Sequence, residues 1–269
     1  MITSAFQYYL KSLNTLLRGV KNPCVVLSLF FRRSTKYAAR VNLKSGEIFL
    51  VFSLMDLWIL KETLLDRQYE LVSLPLQDGW TIIDIGAALG DYAVWAAKQT
   101  PHGRLIAVEP FPPSMSLLRT NLDKNHVYNV EIFAGAVAAS SGTTSLQVEK
   151  GSVVQNSTAI GQKSGQAVEV KTASLDDLFT RFGVLQCDYL KMDCEGGEYE
   201  ILFTASAQSL SRIDRICMEV HDGMTRHKRE DMIEFLEKSG YHTRLTLNPV
   251  HADLAYLYAE KTSLKKESA

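Results

Sequence analysis

Six carboxylates and one histidine fall in four short stretches of this sequence: Asp84, Glu109, the block Asp193-Cys-Glu195-Gly-Gly-Glu198, and Glu219-Val-His221. Three acids within six positions repel one another, so the block argues for a task. In extended chain Asp193 and Glu195 point to the same side, as do Glu219 and His221. A histidine converging with carboxylates suits removal of a proton from a hydroxyl. In that reading His221 is the general base, and Asp193 or Glu195 orients it or the acceptor. Asp193, Glu195 and His221 also form the donor set of a divalent-cation site that would acidify the same hydroxyl; activity surviving exhaustive chelation would exclude it. Glu198 has a plainer reading, an acid at a helix N-terminus.

The second group is the turn Asp84-Ile-Gly86-Ala87-Ala-Leu-Gly90. Gly86 allows a tight turn, Ala87 and Ala88 are small enough for a ligand to approach the backbone, and Gly90 allows close helix–strand contact. A dinucleotide-binding turn would read G-x-G-x-x-G. Here the middle glycine is missing, and Asp84 would repel a phosphate but suit a cation. S-adenosylmethionine has a sulfonium, an ammonium and no phosphate, so the charge favours it over a nicotinamide dinucleotide. Glu109 follows 25 positions later, near the spacing at which an acid accepts hydrogen bonds from a ribose diol. Pro110 stands beside it on the same edge. Both cofactors have that diol, so Glu109 does not discriminate.

The surrounding pattern supplies the elements that must hold these residues. Residues 81–85, 104–109, 130–134, 187–193 and 213–220 read as buried strands. Helical patterns at 92–98, 114–124 (opened by Pro112-Pro113), 175–182, from about 198, and at 229–239 separate or follow them. Ser174 is a candidate cap, and Gly240 a stop. The alternation from Tyr241 and the run at 254–258 close the sheet as a hairpin. Repeated strand–helix alternation predicts a doubly wound, Rossmann-like α/β sheet, mostly parallel, with ligands beyond the carboxyl ends of its strands. Residues 136–171 read as a β-rich insertion. Residues 1–75 read as an α+β cap: a hairpin turning at Ser45-Gly46, then one helix over 56–69 with Leu57, Leu60, Leu64 and Leu65 on a shared face. Residues 76–262 form the catalytic domain, and 263–269 a frayed polar tail.

The 269 residues are 46% hydrophobic, enough for a sizeable core, and the net charge of −1 marks no general nucleic-acid binder. Cys24, Cys187, Cys194 and Cys217 form no C-x-x-C pair, as expected of reduced, mostly buried thiols in a cytoplasmic protein. The apolar run 24–31 falls short of the ~20 residues of a membrane span. Asp56 interrupts the run 48–60. The basic cluster Arg32, Arg33, Lys36 and Arg40 reads as a solvated face, and peripheral membrane contact of the N-terminal segment stays open.

Five stretches together resemble the FkbM-type methyltransferases: Ile83-Asp-Ile-Gly-Ala-Ala-Leu-Gly-Asp-Tyr, Val108-Glu-Pro-Phe-Pro, Ser174-Leu-Asp-Asp-Leu, Leu190-Lys-Met-Asp-Cys-Glu-Gly-Gly-Glu and Glu219-Val-His. The K-x-D-x-E-G-x-E block is the most specific of them, and the resemblance spans roughly residues 80–222. It implies a class I methyltransferase fold and methylation of a hydroxyl on a sugar, glycan or polyketide. By the same resemblance Asp84, Gly86, Ala87, Gly90 and Glu109 line the cofactor site, and Asp193, Glu195 and His221 face the acceptor. The family often has Asn where this chain has Ala88, which removes one polar contact. Three rival readings stand beside it: a nicotinamide-linked oxidoreductase, a non-catalytic cofactor-binding protein of the same fold, and a nucleic-acid methyltransferase, against which the missing N-P-P-Y type signature after the fourth strand and the near-zero net charge speak. Stabilisation by S-adenosylhomocysteine and not by NADH separates the first rival from methyl transfer.

Overall fold

A computed structural model describes residues 2–32, 34–148, 156–157, 166–248, 250–251 and 253–267. The N-terminal region opens with helices α1 (Ile2–Gly19) and α2 (Pro23–Arg32), neither among the elements expected there. An antiparallel hairpin follows, β1 (Ser34–Asn42) with β2 (Ile48–Ser53), turning through Ser45 and Gly46 as expected. Ser53 and Asp56 then cap α3 (Leu54–Leu60) reciprocally.

The single helix expected over 56–69 is instead three pieces: α3, a π-helical turn (Lys61–Leu65), and α4 (Gln68–Val72). The wider π turn shifts the phase of the apolar stripe. Leu57 and Leu60 are fully buried, whereas Leu64 and Leu65 only pack against the core edge. Arg67, at φ 55°, breaks the chain before α4, and the break redirects Tyr69 inward.

Strand–helix alternation then runs through β3 (Thr81–Ile85), α5 (Asp91–Gln99), β4 (Arg104–Val108), α6 (Pro112–Lys124) and β5 (Val130–Phe133). The insertion forms a separate small sheet of β6 (Ala136–Val137), β7 (Gly142–Val148), β8 (Asn156–Ser157) and β9 (Gln166–Ala173); its remaining residues, 149–155 and 158–165, lie outside the described ones. Next come α7 (Leu175–Arg181), capped by Ser174, then β10 (Tyr189–Met192), α8 (Glu198–Thr204), α9 (Ala207–Ser211) and β11 (Arg215–His221). Helix α10 (Arg229–Lys238) and the antiparallel hairpin β12 (Tyr241–Leu247) and β13 (Leu254–Lys261) complete the sheet. The tail expected to be frayed continues as α11 (Thr262–Glu267), begun by Thr262 donating to the Gly240 carbonyl.

The seven strands lie in the order β5-β4-β3-β10-β11-β13-β12, parallel except for β13 against its two neighbours. This is the doubly wound, mostly parallel sheet that the strand–helix alternation predicts, closed by an antiparallel hairpin. The chain winds outward from β3 to β5, then returns to place β10 on the other side of β3. That reversal opens a crevice beyond the carboxyl ends of β3 and β10. Ile82 and Ile83 show how the two faces are filled: one packs into the core beneath α5, α6 and the N-terminal elements, the other into the core beneath α7, α8 and α10. Leu16, Val26, Leu57 and Tyr69 of the N-terminal region thus share a core with the sheet.

Candidate active site

Asp193 is the first residue past β10, and its N–H donates to the Ile85 carbonyl at 2.9 Å. The chain then leaves extended geometry. Glu195 has φ 53° and Gly196 φ 94°, so the period-two argument that would put Asp193 and Glu195 on one side does not apply. The turn itself brings both near His221. Gly86, at φ 81°, lies directly against this turn: a β-carbon there would stand 1.8 Å from the Asp193 carbonyl oxygen. Gly90 (φ 88°) meets Leu118 of α6, where a β-carbon would stand 2.6 Å from Cδ1. Its close contact is helix to helix rather than the expected helix to strand, because the residue caps α5 where α6 crosses. Ala87 is buried and packs in the core. Gly86, Ala88 and Pro110 are the half-exposed members of this edge.

Asp84 is fully buried, and Lys191 Nζ stands 3.0 Å from its Oδ1. The charge that the sequence seemed to offer a cationic ligand is therefore taken up inside the protein. Lys191 also donates to the Gly86 carbonyl at 2.9 Å and lies 4.0 Å from Asp193. Burial lowers its affinity for a proton, but Asp84, Asp193 and Asp91 outweigh this and hold it well above the usual lysine range. Asp84 thus acts on the glycine turn through Lys191. A lysine in the otherwise apolar strand Tyr189–Met192, buried throughout, was the signal available in the sequence.

Glu109 accepts hydrogen bonds from the Ala88 N–H (2.9 Å) and the Phe111 N–H (2.8 Å), one to each oxygen. Burial pushes it up to about 8 against the pull of those donors. The two backbone donors anchor the carboxyl group at both oxygens, and its remaining hydrogen-bonding positions are still able to meet a diol.

On the other side of the crevice, His221 is 8% exposed, with Nε2 3.7 Å from Glu195 and Nδ1 3.6 Å from Glu198. Glu198 does start α8, as its plainer reading holds; it also accepts from the Cys194 N–H at 2.8 Å and faces the imidazole. Burial disfavours the imidazolium, but the facing Glu198, Asp193 and Glu195 overcome that and raise His221 to about 10. Such a group holds its proton at neutral pH, which opposes its expected role as general base. Glu195 is pushed up to about 7 by burial and then by Asp193. Burial and Asp193 also raise Glu219 well above the carboxylate range. Asp193, Glu219 and His221 offer ligand atoms within 4.8 Å of one another. The grouping takes Glu219 in place of Glu195, which turns toward the imidazole.

Tyr69 of α4 reaches in from the N-terminal region. Its hydroxyl donates to Asp193 Oδ2 at 2.9 Å, and its ring packs edge-on against Tyr92 and Tyr256. The Tyr256 hydroxyl donates to Gln68, beside it. Nothing in the sequence pointed to Tyr69, which is 124 positions from its partner.

The four thiols are free; Cys187 and Cys217 are buried, Cys194 half-buried and Cys24 exposed.

The AMB antimetabolite synthetase AmbE of Pseudomonas aeruginosa is 20% identical over 76% of this chain, which spans only 12% of that protein's length. The hexuronic acid methyltransferase AglP of Haloferax volcanii is 24% identical over 78% of this chain and 80% of its own. The 31-O-demethyl-FK506 methyltransferase FkbM of Streptomyces tacrolimicus is 22% identical, covering 61% and 74% respectively. Among solved structures, the methyltransferase FkbM of Methylobacillus flagellatus is 15% identical with a TM-score of 0.47, over 89% of this chain and 59% of that one. The model of the methyltransferase FkbM domain matches residues 84–243, from the buried acid of the glycine turn to the first strand of the closing hairpin, and the chain belongs to that family.

Proposed function

We propose that this protein transfers a methyl group from S-adenosylmethionine to a hydroxyl of a sugar, glycan or polyketide-type acceptor. The observation that carries the reading is the meeting of the Gly86 turn with the Asp193–Glu198 turn at the switch of strand order. Donor-holding and acceptor-facing residues are thereby one backbone contact apart. The relatives named for a hexuronic acid and for 31-O-demethyl-FK506 support a hydroxylated acceptor. The family match gives no support to the nicotinamide alternative.

The turn fits the donor on its own chemistry. Gly86, Ala88 and Pro110 present a half-exposed edge, and Glu109 retains hydrogen-bonding positions for a ribose diol. Bound there, S-adenosylmethionine would supply an electrophilic methyl on a good leaving group. Lys191 fixes the Gly86 carbonyl, and Asp84 keeps Lys191 charged. The remaining need is proton removal from the acceptor. Glu195, raised to about 7, is suited to receive a proton near neutral pH. His221 stays cationic beside it, orienting it and limiting the repulsion from Glu198 and Asp193. Asp193, itself held by Tyr69, orients the acceptor.

A transfer assay with isotopically labelled methyl donor against a panel of glycans and small alcohols, read by mass spectrometry, tests this. Glu195→Gln should abolish product while keeping the thermal shift with S-adenosylhomocysteine. Full turnover in Glu195→Gln sinks the proton assignment; no methylated hydroxyl product across the panel sinks the acceptor class.

A further inference from the structure

The charge of this chain is strongly segregated. Residues 1–46 contain eight Lys or Arg and no Asp or Glu, while the rest holds 21 basic and 30 acidic residues. A near-neutral total hides a cationic N-terminal region on an anionic body. The methyl-transfer site draws on none of those 46 residues.

Helix α2 lies within this region and is two-faced. Val26 and Leu29 are fully buried in the core. On the outer side Leu27, Phe30 and Phe31 stand 45, 54 and 82% exposed. Their i, i+3, i+4 spacing puts them on one stripe, and the two phenylalanine rings meet edge to face at 6.1 Å. Exposed basic residues flank the stripe, Lys21 just before the helix and Arg32 in its last turn. Helix α1 adds exposed Tyr9 and Leu10 followed by exposed Lys11.

We infer that α2 docks on an anionic lipid surface, its Leu27–Phe30–Phe31 stripe entering the headgroup boundary while the surrounding lysines and arginines meet lipid phosphates. Large side chains this exposed are costly in water and gain from an apolar phase, whereas a nucleic-acid backbone offers them none. Two copies meeting through this same face would oppose two cationic regions. With ten residues, α2 is an interfacial helix, and no described helix is long and apolar enough to cross a membrane.

Co-sedimentation of the full chain with vesicles tests the inference without reference to methyl transfer. The chain should pellet with vesicles containing phosphatidylserine and remain in solution with pure phosphatidylcholine. Binding should weaken as salt shortens the ~10 Å screening length of 0.1 M solution. Arg32→Gln should cost about five-fold in partitioning, the fold-change equivalent to ~1 kcal/mol for one basic residue at an anionic surface. Phe30→Ser/Phe31→Ser should lower it further; both side chains are exposed, and unchanged melting of the variant confirms an intact fold. Three results would overturn the inference. One is no binding to either vesicle. Another is vesicle binding unaffected by the phenylalanine pair together with equal affinity for an RNA homopolymer, which would make the face a nucleic-acid surface. The third is a dimer by light scattering that the same pair disperses, which would make it a self-association face.

Discussion

The α-carbon of Gly86 rests against the main-chain carbonyl of Asp193, joining the turn after β3 to the turn after β10 with no room for one methyl group. Because the obstacle is backbone, no rotamer change relieves it. Gly86→Ala adds the strain of φ 81° in a residue with a side chain. The expected loss is at least about 1–3 kcal/mol, seen as a lowered melting temperature together with a lost thermal shift on adding S-adenosylhomocysteine. Normal melting and ligand response would contradict the packing described.

Lys191→Met should be among the most damaging single changes. It leaves Asp84 fully buried without its partner and frees the Gly86 carbonyl. Breaking a buried pair from one side costs about 3–5 kcal/mol, measurable by urea denaturation. The double variant Asp84→Asn/Lys191→Met should recover part of that loss, since the fully buried Asp84 carboxylate is then replaced by a neutral amide.

Tyr69→Phe keeps the ring contacts with Tyr92 and Tyr256 and removes only the hydroxyl that donates to Asp193. A hydrogen bond to a charged group contributes about 1.5–3 kcal/mol, so kcat/KM for the acceptor should fall roughly ten-fold or more. The response to S-adenosylhomocysteine should change little. Loss of that response instead would assign Tyr69 to the donor side.

Stability should fall as pH rises from about 6 toward 10. His221, raised from 6.5 to about 10, keeps a proton that the unfolded chain releases above 6.5, so its contribution is complete below 6.5 and gone above 10. Glu195 and Glu109, raised to about 7 and 8, act in the same direction over their own ranges, since the native state retains their protons longer. Melting temperatures across this range check the sign. In His221→Asn the slope should flatten. Its kcat–pH profile should also shift its acidic limb upward, because the imidazolium lowers Glu195.

Chelation should leave methyl transfer intact. Both ring nitrogens of His221 already face carboxylates at 3.6–3.7 Å, so a cation at Asp193 and Glu219 would have to displace Glu195 or Glu198. Activity lost with EDTA and restored by Mg²⁺ or Mn²⁺ would reverse this expectation.

Much of the fold was legible because its strands are buried on both faces and read as apolar runs. Ile82-Ile83 and Leu105-Ile106 announce themselves, and Pro112-Pro113 and Gly240 mark helix boundaries through fixed backbone preferences. The line of acids at strand ends was legible for the same reason, since polar residues closing apolar runs are local facts. What sequence spacing could not supply is which charges meet. Asp84 looked available to a ligand until Lys191, 107 positions away, proved to neutralise it. His221 looked free to act alone, and only the fold set Glu195 and Glu198 against its two ring nitrogens; Tyr69 had no local signature. Electrostatic character depends on distance and burial in three dimensions. The order of strands, which sets β10 beside β3, therefore decided what each acid could do, while the sequence determined where the acids stood.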